Sequence, residues 1–394
     1  MPEGCVHNCL ACGKCAIRDD AILSRFASVG SGAKRNGFGV AADVGTTTAV
    51  LALMDLSDGT VAARHSFPNP QRAFGADVIT RIGAAGAGHL GELQAAIVSA
   101  LRDGIHTLLD ARGADKLQEI VIAGNTAMMY LLLGLPCGSL GAAPFRPAFK
   151  LRDTYPYAEI FGVDDLRGKA LMDCPVRIVP YIGAFVGGDV TAGLLYAQSE
   201  GISPQGTPSR FLLADLGTNG EMALWDDGKL WVASAAAGPA FEGGISGSAS
   251  SVLDALAHLV REGGIDETGR LREGARSPFT QKQIRDLQLA KSAVRTGVEI
   301  LLAEAGLAYD ALDAVYLAGG IGQALDPQSA VTAGLLPSAQ KARAVGNASL
   351  GGAAMILLDP DRMGAAKGLA RNAQEINLAA HGRFNELFVE YMAF

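Results

Sequence analysis

Two short stretches carry the residue types that grip phosphate: Asp43-Val44-Gly45-Thr46-Thr47-Thr48 and, 172 residues further on, Asp215-Leu216-Gly217-Thr218-Asn219-Gly220-Glu221. In such a turn glycine lets backbone N–H groups approach phosphate oxygens, threonine hydroxyls add donors, and the aspartate can orient a hydrated Mg2+. A single copy reads equally well as a surface hairpin. Two copies in corresponding positions fit one nucleotide held between two related lobes. Two further glycine-rich stretches belong to the same chemistry. Leu317-Ala318-Gly319-Gly320-Ile321-Gly322 follows an apolar run and opens a helical one, leaving room for a flat base or ribose against backbone; on its own it is also an ordinary βα turn. The loop Ala237 to Gly244 holds Glu242 beside Gly243, either to meet ribose hydroxyls or as a solvated loop glutamate.

Metal chemistry is concentrated at the front of the chain. Four of the six cysteines, Cys5, Cys9, Cys12 and Cys15, form a C-x3-C-x2-C-x2-C pattern. Four thiolates so close together can wrap one compact centre, and a [4Fe-4S] cluster is the first expectation; a structural Zn site and a [2Fe-2S] centre remain open at this point. The order of spacings reverses that of bacterial ferredoxins, and no proline follows the last cysteine. Cys5, Cys9 and Cys12 also match the pattern of radical enzymes that use S-adenosylmethionine, but the repeated βα units of a barrel do not follow. His7 reads as a loop residue. Cys137 and Cys174 read as ordinary buried cysteines.

These groups need a scaffold. Strands are expected near Gly39 to Val44, Thr48 to Leu56, Val61 to Phe67, Glu119 to Ala123 and Val176 to Pro180, with helices over Leu90 to Leu109, after Asn125, and over Gly187 to Leu194. The second half repeats the order: strands at Arg210 to Asp215, Glu221 to Trp225, Leu230 to Ala235, Ala314 to Leu317 and Ala344 to Gly346, with helices at Ala249 to Arg261 and Gln281 to Ala305, and a final helix from Ser349 to Leu358. The repeated order starting on the same acidic turn is an internal duplication. The expected organisation is a four-cysteine segment over 1–20, a Ser/Gly-rich linker over 21–37, and lobes over 38–200 and 201–394.

With 394 residues there is ample core for two lobes. A net charge of -7 without a long basic run makes nucleic acid and anionic membrane poor partners. The longest strongly apolar run, near Ala127 to Leu135, is too short to span a bilayer, and no apolar secretory segment opens the chain. The expectation is a cytoplasmic α/β enzyme whose cysteines bind metal rather than form disulfides.

On these residues the chain resembles the superfamily of actin, sugar kinases and heat-shock ATPases. Asp43 to Thr48 and Asp215 to Glu221 are similar to its two phosphate turns, Gly319 to Gly322 to its adenosine loop, Gly187 to Leu194 and Ser349 to Ala354 to its two connecting helices. More narrowly, Asn69 to Val78, Ala123 to Thr126, Asp215 to Glu221, Gly238 to Ile245, and Glu375 to Leu378 with Phe384 to Phe388 resemble the ATP-dependent reductive activators of corrinoid enzymes. That resemblance covers roughly 38 to 394. It implies a duplicated actin-like ATPase fold of two βββαβαβα lobes around an ATP cleft, and delivery of one electron to Co(II) to give Co(I). It further implies Mg2+ oriented through water by Asp43 and Asp215. Phosphates would be held at Gly45, Thr46, Thr47, Thr48, Gly217, Thr218 and Asn219, adenosine at Glu242, Gly243, Gly319, Gly320, Ile321 and Gly322, and the attacking water would be set by Asp189, unless that residue serves only as a helix cap. Implied partners are the corrinoid protein of a methyltransferase system, a low-potential donor such as a ferredoxin or flavodoxin, and a second copy of the chain. Relatives commonly carry a plant-type [2Fe-2S] domain and a linking domain where this chain has the four-cysteine segment. Other readings are electron transfer into another low-potential iron–sulfur enzyme such as a 2-hydroxyacyl-CoA dehydratase, a small-molecule kinase of the same superfamily, and a Zn-bearing regulatory ATPase.

Overall fold

The computed structural model describes residues 35–163, 166–199, 206, 208–241, 252–319 and 325–394. They fall into two compact units: one takes the described residues below 208 with Ala348–Arg371, the other Pro208–Asn347 with Asn372–Phe394. Cys5, Cys9, Cys12, Cys15, His7, Glu242, Gly243, Gly320, Ile321 and Gly322 lie outside the described residues.

Each unit is built on a six-stranded mixed sheet, in the order β3-β2-β1-β4-β6-β5 in the first and β11-β10-β7-β8-β9-β12 in the second. In the first, β1 (Phe38–Val44), β2 (Thr48–Asp55) and β3 (Val61–Pro68) form an antiparallel meander. Strands β4 (Ile120–Gly124), β5 (Thr154–Pro156) and β6 (Pro175–Ile178) follow, with β4 parallel to β1 and β6 parallel to β4. The second unit repeats this with β7 (Arg210–Leu216), β8 (Gly220–Asp226), β9 (Lys229–Ala235), β10 (Ala314–Ala318) and β11 (Ala342–Gly346), where β7 to β9 are the meander and β10 and β11 run parallel to β7. The shared order and directions make the duplication a property of the fold. Both central strands, β1 and β7, show one burial pattern: the first residue and the aspartate next to last are half-buried and the rest of the strand is covered on both faces.

The principal helices are α1 (Leu90–Asp110), α2 (Thr126–Leu132), α3 (Gly188–Ala197), α4 (Val252–Arg261), α5 (Gln281–Ala305), α6 (Ala348–Leu358), α7 (Arg362–Asn372) and α8 (Phe384–Glu390). Helix α1 buries Leu93, Ile97, Leu101, Ile105 and Leu108 on one stripe, so it covers one face of its sheet. Helix α5 starts on a capping box between Thr280 and Gln283 and stops at Gly306 in the left-handed region. Helices α3 and α6 are buried nearly all round and pack on each other in the first unit. The contact is closest at Gly352, where a Cβ would lie 1.9 Å from the Ala192 carbonyl oxygen.

The sequence pattern places the final helix over Ser349 to Leu358, whereas the structure continues beyond it. Helices α7 and α8 follow, and β12 (Ala373–Glu375) adds a strand parallel to β9. Strand β5 was likewise not foreseen. Both strands are three residues long and too polar or too short for a period-two pattern to register. No helix among the described residues is long and apolar enough to cross a membrane.

Candidate functional site

In the first unit the site forms where β1, β4 and α3 bring their ends together. The turn between β1 and β2 has no room for a side chain at Gly45, since a Cβ there would lie 2.8 Å from the Thr48 carbonyl oxygen. Three successive carbonyls of this turn are tied from behind. The Gly45 oxygen accepts from Asn69 Nδ2 at 2.9 Å, the Thr46 oxygen from Arg81 Nη2 at 2.6 Å, and the Thr47 oxygen from the Asn69 backbone N–H at 2.8 Å. Carbonyls held toward the protein leave the opposite rim without the oxygens that would repel an anion. Asn69 and Arg81 are themselves fully buried, and Arg81 also donates from Nε to the Gly75 oxygen. Burial pulls the Arg81 pKa down to about 10, against the raising effect of Asp77, so the guanidinium stays charged at neutral pH beneath the turn.

The buried Thr46 hydroxyl accepts from Asn125 Nδ2 at 3.2 Å and keeps its own proton for donation. Asn125 caps α2 by accepting from the Met128 N–H, which fixes the amide's orientation. The start of α3 comes against it: a Cβ on Gly187 would lie 2.3 Å from Asn125 Cα. That approach sets Asp189, in the first turn of α3, near Asp43. Its Oδ1 accepts from the Val190 N–H at 2.8 Å. The helix cap position belongs to Gly187, not Asp189. Burial, and secondarily the charge of Asp43, push the Asp189 carboxyl up to about 7. The Asp43 carboxylate accepts from Ser349 Oγ of α6 at 2.7 Å. Asn69, Arg81, Asn125 and Ser349 were not assigned roles from the sequence, although Asn69, Asn125 and Ser349 lie in stretches that carried the resemblance.

The second unit carries the related turn with one difference. Leu216 pairs with Gly220 and Asp215 with Glu221, whereas Val44 pairs with Ala49 and Asp43 with Val50. The second turn is thus one residue tighter, with the Gly217 N–H donating to the Asn219 oxygen at 3.0 Å in place of the Gly45 to Thr48 bond. Thr218 and Glu221 are nearly buried. Gly319 follows β10 beside this turn at φ +90°, and a Cβ there would lie 2.5 Å from Asp215 Oδ1. Only glycine fits so close to the carboxylate in that backbone region. The register places Ala318 beside Asp215 and Ala123 beside Asp43, so Gly124 of the first unit corresponds to Gly319.

Cys137 and Cys174 are buried, and burial raises both thiols, Cys174 to about 12 with help from the charge of Glu119. Neither forms a thiolate at neutral pH. Among the described residues no group of three or more His, Cys, Asp or Glu side chains is arranged to hold a metal ion.

Comparison with known proteins places this geometry. The family described as the RACo middle region matches residues 38–200, and the C-terminal domain of RACo, the ASKHA domain, matches 209–248 and 273–394. The corrinoid activation enzyme RamQ of Eubacterium limosum is 31% identical over 432 residues, covering 89% of this chain and 69% of RamQ. The chain belongs to the family of reductive activators of corrinoid proteins. A solved structure in that family, a reductive activator for a corrinoid iron–sulfur protein, superposes with a TM-score of 0.79 at 30% identity, covering 93% of this chain and 67% of the other. A Co(II) methylated amine-specific corrinoid protein reductase of Methanosarcina barkeri is 26% identical over 60% of this chain and 53% of its own. The chain spans about two thirds of the length of the first two family members and about half of the third. The duplicated ASKHA fold of the family accounts for both sheets and both acidic turns.

Proposed function

We propose that this chain is an ATP-dependent reductase that returns the Co(II) form of a corrinoid protein to Co(I) by delivering one electron. Membership of the reductive activator family supports the reaction class. The observation that carries the ATP part is the inward tethering of the Gly45, Thr46 and Thr47 carbonyls, which suits the turn to polyphosphate.

In this reading Asp43 and Asp215 orient hydrated Mg2+, and the turns at 45–48 and 217–219 hold phosphates. Gly319 leaves space for adenosine with Gly320 to Gly322 and Glu242 with Gly243. Asp189, above its usual carboxylate range, accepts the proton of the attacking water once it is ionised. Four thiolates at Cys5, Cys9, Cys12 and Cys15 match the ligand count and softness of an iron–sulfur centre, [4Fe-4S] first. Such a centre supplies a one-electron relay between a low-potential donor, of the ferredoxin or flavodoxin kind, and the partner. If the potential gap is ~200 mV, the transfer is uphill by about 5 kcal/mol, so it must be coupled to ATP. ATP would bias which complex with the corrinoid protein is populated, so that transfer runs forward or does not run back. Residues 1–20, 21–37, 38–200 and 201–394 would then serve as cluster segment, tether and two ATPase lobes.

The test is formation of Co(I), followed by visible absorption under anaerobic conditions, on a candidate corrinoid protein with an electron donor. ATP should be required, and Asp215→Ala should lose the requirement's benefit. Equal rates with and without ATP would refute the reading. A colourless chain containing zinc and no iron would remove the electron relay.

A further inference from the structure

A side chain of helix α6 reaches the proposed ATP site. Ser349 Oγ donates to Asp43 Oδ1 at 2.7 Å across 306 positions of sequence. Ser349 is 3% exposed, in the first turn of a helix that is buried nearly all round. That helix is locked against α3, the helix carrying Asp189. Besides the contact of Gly352 with the Ala192 carbonyl, a Cβ on Gly351 would lie 2.8 Å from the Tyr196 ring. The two carboxylates of the site are therefore referenced to one rigid helix pair: Asp189 is part of α3, and Asp43 is tied to α6. The chain enters α6 at Ala348 directly from Asn347 of the second unit.

We propose that Ser349 is a positioning residue for the ATPase reaction, its hydroxyl fixing the Asp43 carboxylate relative to Asp189, and that α6 is thereby part of the nucleotide site. This rests on the reading of Asp43 as the group that orients hydrated Mg2+ and of Asp189 as the group that sets the attacking water. A hydroxyl that accepts no load from substrate acts on geometry: a displacement on the order of 1 Å at such a site costs about a hundredfold in rate. Phosphate binding at saturating Mg2+, through the far rim of the turn, is spared.

The experiment uses the full chain, with ATP hydrolysis measured by phosphate release and nucleotide binding by calorimetry at varied Mg2+. Ser349→Ala should lower kcat at least about tenfold with KM for ATP within about twofold, and raise the Mg2+ needed for half-maximal nucleotide binding about fivefold. Ser349→Cys, which keeps the volume with a weak donor, should follow Ser349→Ala, and it carries the test if the alanine variant does not fold. Ser349→Thr, which keeps the hydroxyl, should restore the parent's Mg2+ dependence. In an Asp43→Asn background, Ser349→Ala should cause no further loss, because the two act as one unit. If Asp43→Asn alone leaves hydrolysis unchanged, the reading of Asp43 fails. If Asp43→Asn lowers hydrolysis while the Ala and Cys variants keep kcat and Mg2+ dependence within twofold, or if their losses add to the residual rate or Mg2+ dependence of Asp43→Asn, the role of Ser349 is overturned.

Discussion

Arg81→Met separates the brace beneath the first turn from the stability of the fold around it. Arg81 is fully buried, and its guanidinium donates to the Thr46 and Gly75 oxygens. The two hydrogen bonds to carbonyl oxygens are worth about 1.5–3 kcal/mol each, so their loss removes about 3–6 kcal/mol; the longer one from Nη1 to Met128 Sδ adds little. Against this, a pKa brought from 12.5 to about 10 reports a burial cost of the charge, which is about 3 kcal/mol. Methionine fills much of the volume and needs no solvation, so that cost is recovered. The net loss of stability is then about 0–3 kcal/mol, small for the removal of a buried cation. The nucleotide should feel far more. The Thr46 carbonyl loses its tether and can turn toward the phosphate rim, and the nearby positive charge disappears. An affinity loss of about ten- to a hundredfold, or about 1.4–2.8 kcal/mol, is expected for Mg·ATP. Urea unfolding followed by circular dichroism measures the first quantity and calorimetric titration with Mg·ATP the second. A folded Arg81→Met chain that binds Mg·ATP within twofold of the parent would show that the tethering of this turn has no part in phosphate binding.

Other outcomes follow from the same contacts. The Asp189 carboxyl is raised to about 7, chiefly by burial, so ATP hydrolysis should climb as pH rises through about 7. Asp189→Asn should abolish that limb with a rate loss of about a hundredfold or more. The sign for stability is opposite: between about 4 and 7 the folded chain holds a proton that the unfolded chain has lost, so the Asp189 contribution falls as pH rises, and Asp189→Asn should flatten this dependence in unfolding curves. Gly352→Ala has no space beside the Ala192 carbonyl, and should cost about 3 kcal/mol or more by thermal or urea unfolding. Cys137→Ala and Cys174→Ala should leave Co(I) formation unchanged, and neither native thiol should react with iodoacetamide before unfolding, since both are buried and raised.

The parts of the fold that were legible in the sequence are those written in local pattern. The strand, acidic turn, strand order appears twice, and each central strand carries an apolar run ending in an aspartate one residue before its last, so the duplication shows without coordinates. The bounds of helix α5 are legible because the Thr280–Gln283 capping box starts it and Gly306 stops it. What supports the turn was not legible. Gly45 meets Asn69 across 24 positions, Thr46 meets Arg81 across 35, and Asp43 meets Ser349 across 306. No periodicity encodes such pairings, because they depend on where separate elements converge. The one-residue difference between the turns was hidden for a related reason: both loops read as the same acidic, glycine and threonine string, and only the pairing register separates them.

The mechanism proposed above has binding energy or hydrolysis of ATP drive an electron onto a corrinoid cobalt. It is tested most directly by mixing the anaerobically purified full chain with a Co(II) corrinoid protein and a reduced low-potential donor, and recording the Co(I) absorption with ATP, with ADP and without nucleotide. The mechanism predicts Co(I) with ATP alone, and its loss in Asp215→Ala. Equal Co(I) formation in all three conditions, or a phosphorylated small molecule in place of reduced cobalt, would contradict it.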